Sequence, residues 1–115
     1  MSGFFDARGQ VAVERLTERF GMSKTQLAET VGLAQDVFYR PSRMERPKSQ
    51  ARIGEMLEII GRIAVWAGGE RQALAWYRAE PLPSFGGRTA EALVKEGKAA
   101  AVRDYLDRVA LGGFA

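Results

Sequence analysis

The chain reads as an all-α protein of about seven helices arranged in two subdomains. Three observations predict it. Apolar residues recur at spacings of three and four and never alternate for long, which is the period of a helix buried along one face and not that of a strand. Glycine or proline falls between the periodic stretches, at Gly21, Gly32, Pro41, Gly68, Gly69, Pro81, Pro83 and Gly97, and punctuates them. Hydrophobic residues make up 46% of the 115 and charged ones 27%, a balance suited to one small folded unit or two sharing a core.

Each element has a local reason. A first helix is predicted over about residues 8–20, with Val13, Leu16 and Phe20 on one face and Gly21 as its stop. Ser23 caps a second helix from Lys24 to Val31 by accepting from an orphan backbone N–H. Gly32 ends it, and a third short helix, Ala34 to Arg40, is predicted to stop before Pro41. Residues 41–48 read as an exposed connection after which Ser49 caps the next helix. From Gln50 to about Trp66 the series Ile53, Met56, Leu57, Ile60, Ile63, Ala64 and Ala67 forms a long apolar stripe, the expected central support. A fifth helix spans Glu70–Ala79 and groups Ala73, Trp76 and Tyr77. Thr89 caps a sixth that ends at Gly97, and Lys98 to Leu111 forms the last, with Val102, Tyr105, Leu106 and Val109 inward.

Composition narrows the chemistry. With no cysteine and no histidine, the chain has no disulfide, thiol nucleophile or imidazole base, and almost every structural zinc arrangement is excluded. The carboxylates do not suggest catalysis either. Asp104 and Asp107, like Glu55 and Glu58, sit three apart on helix surfaces among Arg62, Arg103 and Arg108, a pattern of solvated ion pairs. A non-enzyme without cofactor or metal is expected. The start, Met1 to Arg8, lacks a basic stretch followed by a long apolar run, so the cytoplasm is the expected location.

The net charge of +3 is unevenly placed. Residues 1–52 hold nine Lys and Arg against six Asp and Glu, whereas residues 53–115 hold eight of each. Most of the excess lies in Arg40, Arg43, Arg46, Lys48 and Arg52, opposed by Glu45 alone, which reads as a solvated loop or as a nucleic-acid footprint. Next to it stands "TQLAETVGLAQDVFYR". Ala28 is small where two helices must approach, and Gly32, four positions on, can take the positive φ of a tight turn. Leu27, Val31, Leu33, Val37 and Phe38 pack on both sides, as in a helix-turn-helix. In that motif Gln35, Tyr39 and Arg40 on the third helix meet base edges or phosphates, while Lys24, Gln26, Arg43 and Lys48 contact the backbone. Asp36 is out of place on a DNA-facing helix. A single copy would contact few phosphates, so a dimer or larger assembly is expected.

Residues 80–89 raise a separate question. The residues before Pro81 and Pro83 are biased to extended geometry, and Gly86 and Gly87 permit a turn, so the loop is fixed in shape. By physics alone it is a helix-to-helix connection with Phe85 plugging the core. The wider stretch, "WAGGERQALAWYRAEPLPSFGGRTAEALVKEGKAAAVRDYLDRVALGGFA", residues 66–115, strongly resembles the C-terminal domain of the Xre/MbcA/ParS group of toxin-binding antitoxins. The resemblance rests on the Trp near a helix end, the Ala-Trp-Tyr helix, the Pro-x-Pro loop, Phe-Gly-Gly-Arg-Thr, Leu-Val-x-x-Gly and the final Val-x-x-Tyr-Leu helix. The first half is similar to the Xre-type helix-turn-helix of the same family.

That resemblance, closest to the antitoxins of RES-domain toxins, implies a type II antitoxin. It would bind and block an NAD-consuming RES toxin and, as a dimer within a larger complex, bind its own promoter DNA. Residues 1–48 are then the DNA-binding subdomain and residues 49–115 the toxin-binding domain. Phe85, Gly86, Gly87, Arg88, Tyr105, Arg108 and Phe114 are the implied toxin contacts, with Arg88 alternatively an ion-pair mate of Glu91. A stand-alone transcriptional regulator, whose second half dimerises or senses a ligand, is the alternative.

Overall fold

A computed structural model describes residues 10–113. These form α1 (Val13–Phe20), α2 (Lys24–Val31), a 3-10 segment (Gln35–Tyr39), α3 (Pro41–Met44), α4 (Pro47–Ala67), α5 (Glu70–Ala79), α6 (Ala90–Lys95) and α7 (Ala99–Arg108), followed by a π turn (Val109–Gly113). The all-α expectation and its seven helices hold. Ser23 and Gln26 form a reciprocal capping box at the start of α2, and Thr89 Oγ1 accepts from Ala92 N at 3.1 Å to start α6. Gly21, Gly32 and Gly68 close α1, α2 and α4 in the left-handed region.

Helix α4 is the axis of packing. Ile53, Met56, Leu57, Ile59, Ile60 and Ile63 are all buried on it, so more of its circumference is covered than the predicted stripe, which lacks Ile59. Around it lie α2, α3, α5, α6 and α7. A single cluster of buried side chains, from Val11 to Leu106, joins both halves of the chain.

Several boundaries differ from expectation, and the prolines explain most of them. The predicted helix over 34–40 is a 3-10 segment. Arg40, which precedes a proline, is driven to φ −127°, ψ 104°. With Ala34 extended as well, five residues remain, enough for a three-residue ladder but hardly for an α-helix. Pro41 does not only stop a helix, because it also begins α3 at the first helical position, where its missing N–H is no loss, and Pro47 begins α4 in the same way. The segment 41–48 is therefore not a plain exposed connection, and Met44 is buried within it.

Ser49 is consequently no cap. It is buried in the first turn of α4, where its hydroxyl donates to the Arg43 carbonyl at 2.9 Å. Gln50 next to it donates to the Met44 carbonyl at 2.7 Å and accepts from Val11 N at 3.1 Å, tying α3 and the start of the described chain to α4. At the other ends, α1 begins only after Ala12, and α7 gives way to the π turn at Val109, near Gly112 and Gly113, rather than running evenly to Leu111.

The turn at Gly32 is one place where the halves meet closely. Its φ is +81°, and a Cβ built there would lie 2.7 Å from Lys95 Cγ on α6 and 3.1 Å from Arg52 Nη1 on α4. Gly32→Ala should therefore cost about 1–2 kcal/mol for the left-handed backbone and more for displacing its neighbours. Gly86→Ala has a similar backbone, φ +64°, with nothing within 4 Å, and should cost only the first part. Urea denaturation of both variants measures the difference.

Candidate functional site

The first candidate surface surrounds the turn between α2 and the 3-10 segment. Ala28 is fully buried, and Gly32 N donates to its carbonyl at 2.9 Å, so the small residue and the glycine do the jobs their spacing suggested. Gln35, Tyr39 and Arg40 are exposed on the 3-10 segment and at its end, and Lys48 is exposed in the first turn of α4. The Lys24 ammonium lies 4.9 Å from the centre of the Tyr39 ring, a cation–π contact that holds both side chains at one edge. Gln26 uses its amide oxygen to accept from Ser23 N at 2.9 Å, which leaves its amide donors pointing outward from the cap.

Asp36, awkward in the sequence, is paired with Arg43. The pair removes an isolated negative charge from this surface and at the same time engages one of the cations expected to face phosphate. Both side chains are about two-fifths exposed, so the pair is a solvated one worth little to stability.

The second candidate surface is the loop between α5 and α6. Leu82 N donates to the Arg88 carbonyl at 2.9 Å, Arg88 N to the Phe85 carbonyl at 3.1 Å, and Pro81 bridges Thr89, so the loop closes on itself. Ser84, Gly86 and Gly87 all have positive φ. Phe85 packs half-buried on the core as expected, but Leu82 is the deeper anchor at 2% exposure, and its place between two prolines hid it from a reading by helical periodicity. Arg88 is exposed and pairs with Glu96 at 2.7 Å, not with Glu91. Glu91 instead accepts from the buried Thr30 hydroxyl on α2 and lies 3.5 Å from Arg78.

Tyr105 and Arg108 belong to a different place. Tyr105 is half-buried in a groove of about 230 Å³ whose other walls include Ile63, Trp66, Trp76 and Val109, while Arg108 is exposed at the end of α7. The structure thus divides the expected toxin contacts between a closed polar loop and an apolar groove. Phe114 lies outside the described residues.

Comparison with known proteins bears on this half of the chain. Residues 63–112 match the family model of the antitoxin Xre/MbcA/ParS C-terminal toxin-binding domain. The match is to a toxin-binding domain and covers less than half of the chain. No curated protein and no solved structure matches the chain. The matched segment holds both the closed loop and all the walls of the groove.

Among the described residues no group of three or more acidic side chains is placed to hold a metal ion, and no helix is long and apolar enough to cross a membrane. Two of the four carboxylates noted in the sequence form ion pairs between helices: Glu58 takes Arg103 through two bonds of 2.9 Å, and Asp107 takes Arg62 at 2.7 Å. The Glu58 carboxylate raises the Arg103 pKa further, against a smaller opposing effect of burial.

Tyr77 on α5 is fully buried, and its hydroxyl has no hydrogen-bond partner. Burial first, and then the Glu91 charge, push its pKa well above the ordinary 10.0. A raised folded-state value means that stability is complete below about pH 10 and falls as pH rises past it, since the unfolded chain ionises there and the folded one does not. Tyr77→Phe should be neutral or slightly stabilising near pH 7 and flatten that alkaline decline. Thermal unfolding of both proteins between about pH 7 and pH 11 measures it.

Proposed function

We propose that this chain is the antitoxin of a type II toxin–antitoxin pair, acting as a cytoplasmic dimer within a larger complex. Its toxin-binding part, residues 49–115, neutralises a RES-domain toxin that consumes NAD. Its first part, residues 1–48, is an Xre-type helix-turn-helix that binds the promoter of its own operon. The match of residues 63–112 to the toxin-binding domain carries the reading. The closed loop supports it, because a loop with its backbone already bonded presents Arg88 and its glycines with little ordering left to do. Phe85, Gly86, Gly87, Arg88, Tyr105, Arg108 and Phe114 remain the proposed toxin contacts.

Co-expression tests the partner. A neighbouring RES-domain gene expressed alone should arrest growth and deplete NAD, and co-expression of this chain should restore both. Removing residues 112–115 should weaken the restoration while leaving the far-ultraviolet circular dichroism unchanged. A neighbouring product that is harmless on its own, or whose toxicity this chain does not relieve, overturns the antitoxin reading.

The DNA part rests on the cluster of exposed cations and on the pairing of Asp36 with Arg43, which offsets the negative charge of the 3-10 segment. Lys24, Gln26, Gln35, Tyr39, Arg40, Arg43 and Lys48 are the proposed contacts. A five-residue 3-10 segment rises only about 10 Å, so phosphate contacts from its flanks carry more of the affinity than base contacts from the segment. In a salt-titrated gel shift on the upstream sequence, Arg40→Ala and Lys48→Ala should each weaken binding and lower the salt slope by about one. Arg43→Ala should change the slope less, since its guanidinium is already engaged. An unchanged slope in all three variants argues against this surface as the DNA contact.

A further inference from the structure

The segment Gln35–Tyr39 is a 3-10 helix, and its period decides which side chains point together. Three residues complete a turn, so positions three apart lie over one another. Phe38 is buried, and Gln35 shares its edge. Asp36 and Tyr39 share another edge, and Tyr39 is 59% exposed. An α-helix would spread Gln35, Asp36, Tyr39 and Arg40 over one broad outer face, whereas the tighter ladder stacks Asp36 with Tyr39. The Lys24 ammonium over the Tyr39 ring places that edge beside the start of α2.

Asp36 is held in position there. Its Oδ2 accepts from Nη1 of Arg43 on α3, and its side chain keeps 41% of its surface open. The two oxygens of a carboxylate have room for about four hydrogen bonds, so Oδ1 remains able to accept another. The guanidinium also offsets the repulsion that a lone carboxylate would meet among phosphates. Paired in this way, an acidic side chain can approach DNA, and it brings an acceptor in a fixed direction.

Base edges differ in what they offer such an acceptor. In the major groove guanine shows only acceptors, and thymine shows an acceptor beside a methyl group. Adenine sets its amino donor beside the N7 acceptor, and cytosine shows an amino donor alone. An ionised carboxylate accepts and cannot donate. Cytosine is therefore the base it meets with no opposed acceptor, and the wrong base leaves it desolvated without a partner. We propose, on the footing of the DNA-binding reading above, that Asp36 reads the amino group of a cytosine in the major groove, with Arg43 as the residue that positions its carboxylate. Tyr39, about 6 Å further along the segment, keeps to the phosphate backbone.

Selection of bound sites from a pool of randomised duplexes by the full 115-residue chain, followed by competition between single-base variants of the recovered site, tests the assignment. The unmodified chain should require cytosine at one position, and thymine there should weaken binding about tenfold. Asp36→Ala should accept any base at that position and keep its preferences elsewhere. Asp36→Asn should move the preference to adenine, whose N6 and N7 an amide meets together. Arg43→Ala, which leaves the carboxylate unpaired among phosphates, should weaken binding to every duplex and narrow the preference for cytosine. A purely structural pair would lower affinity for all sequences alike and shift no preference. Circular dichroism confirms that each variant is folded. A cytosine preference that survives Asp36→Ala, or a site at which that variant changes no position, overturns the proposal and leaves DNA binding in place. Recovery of no site by the folded, unmodified chain overturns the DNA-binding reading and the assignment with it.

Discussion

Helix α4 can exist only inside other helices, because its six buried large side chains point around much of its circumference and no single neighbour could cover them. Fully burying an aliphatic side chain contributes about 1.5–3 kcal/mol, so this one element accounts for a large share of what holds so short a chain together. The other helices are placed by it. α5 folds back along it after Gly68 and Gly69, α7 lies beside it through two ion pairs, and the short α2, α3 and α6 fill the remaining sides. None of those three is long enough to be stable alone in water, and each owes its shape to the face it covers.

Where periodicity and capping chemistry coincide, the sequence was a sufficient guide. Ser23 and Gly32 bracket α2, and Glu70 to Ala79 is α5, with the limits that spacing and punctuation indicated. It misled where one residue type has two uses. Proline ends a helix or begins one according to whether its missing N–H was needed, and residues 41–48 contain two that begin helices. Serine caps a helix or hides in its first turn, and Ser49 does the second. Leu82 shows a third limit, since a lone apolar residue between prolines has no period by which its burial could be recognised. At the candidate surfaces the identities of the side chains were legible but their grouping was not. Phe85 and Tyr105 sit on different features, and Arg88 finds Glu96 rather than Glu91, because pairing across a loop depends on the turn geometry of its glycines.

Polar ties run between the two halves as well as apolar ones. Thr30 on α2 is buried and donates a hydrogen bond to Glu91 on α6, while Arg52 on α4 reaches the carbonyls of Val31 and Lys95 at 3.4 and 3.5 Å. Separating α2 from α6 would leave a buried hydroxyl and a carboxylate without their partner, a loss of about 1–3 kcal/mol. The surface around Tyr39 and the loop around Arg88 are thus carried on one body, and a displacement of either reaches the other through few intervening side chains.

The loop from Pro81 to Thr89 separates what holds it from what it shows. Leu82 and Phe85 point inward and the backbone closes upon itself, whereas the side chains of Ser84 and Arg88 face outward and take no part in that closure. Its outer side chains can therefore be replaced while the scaffold persists. Substitutions at those outward side chains would alter what the loop presents without asking the chain to learn to fold again.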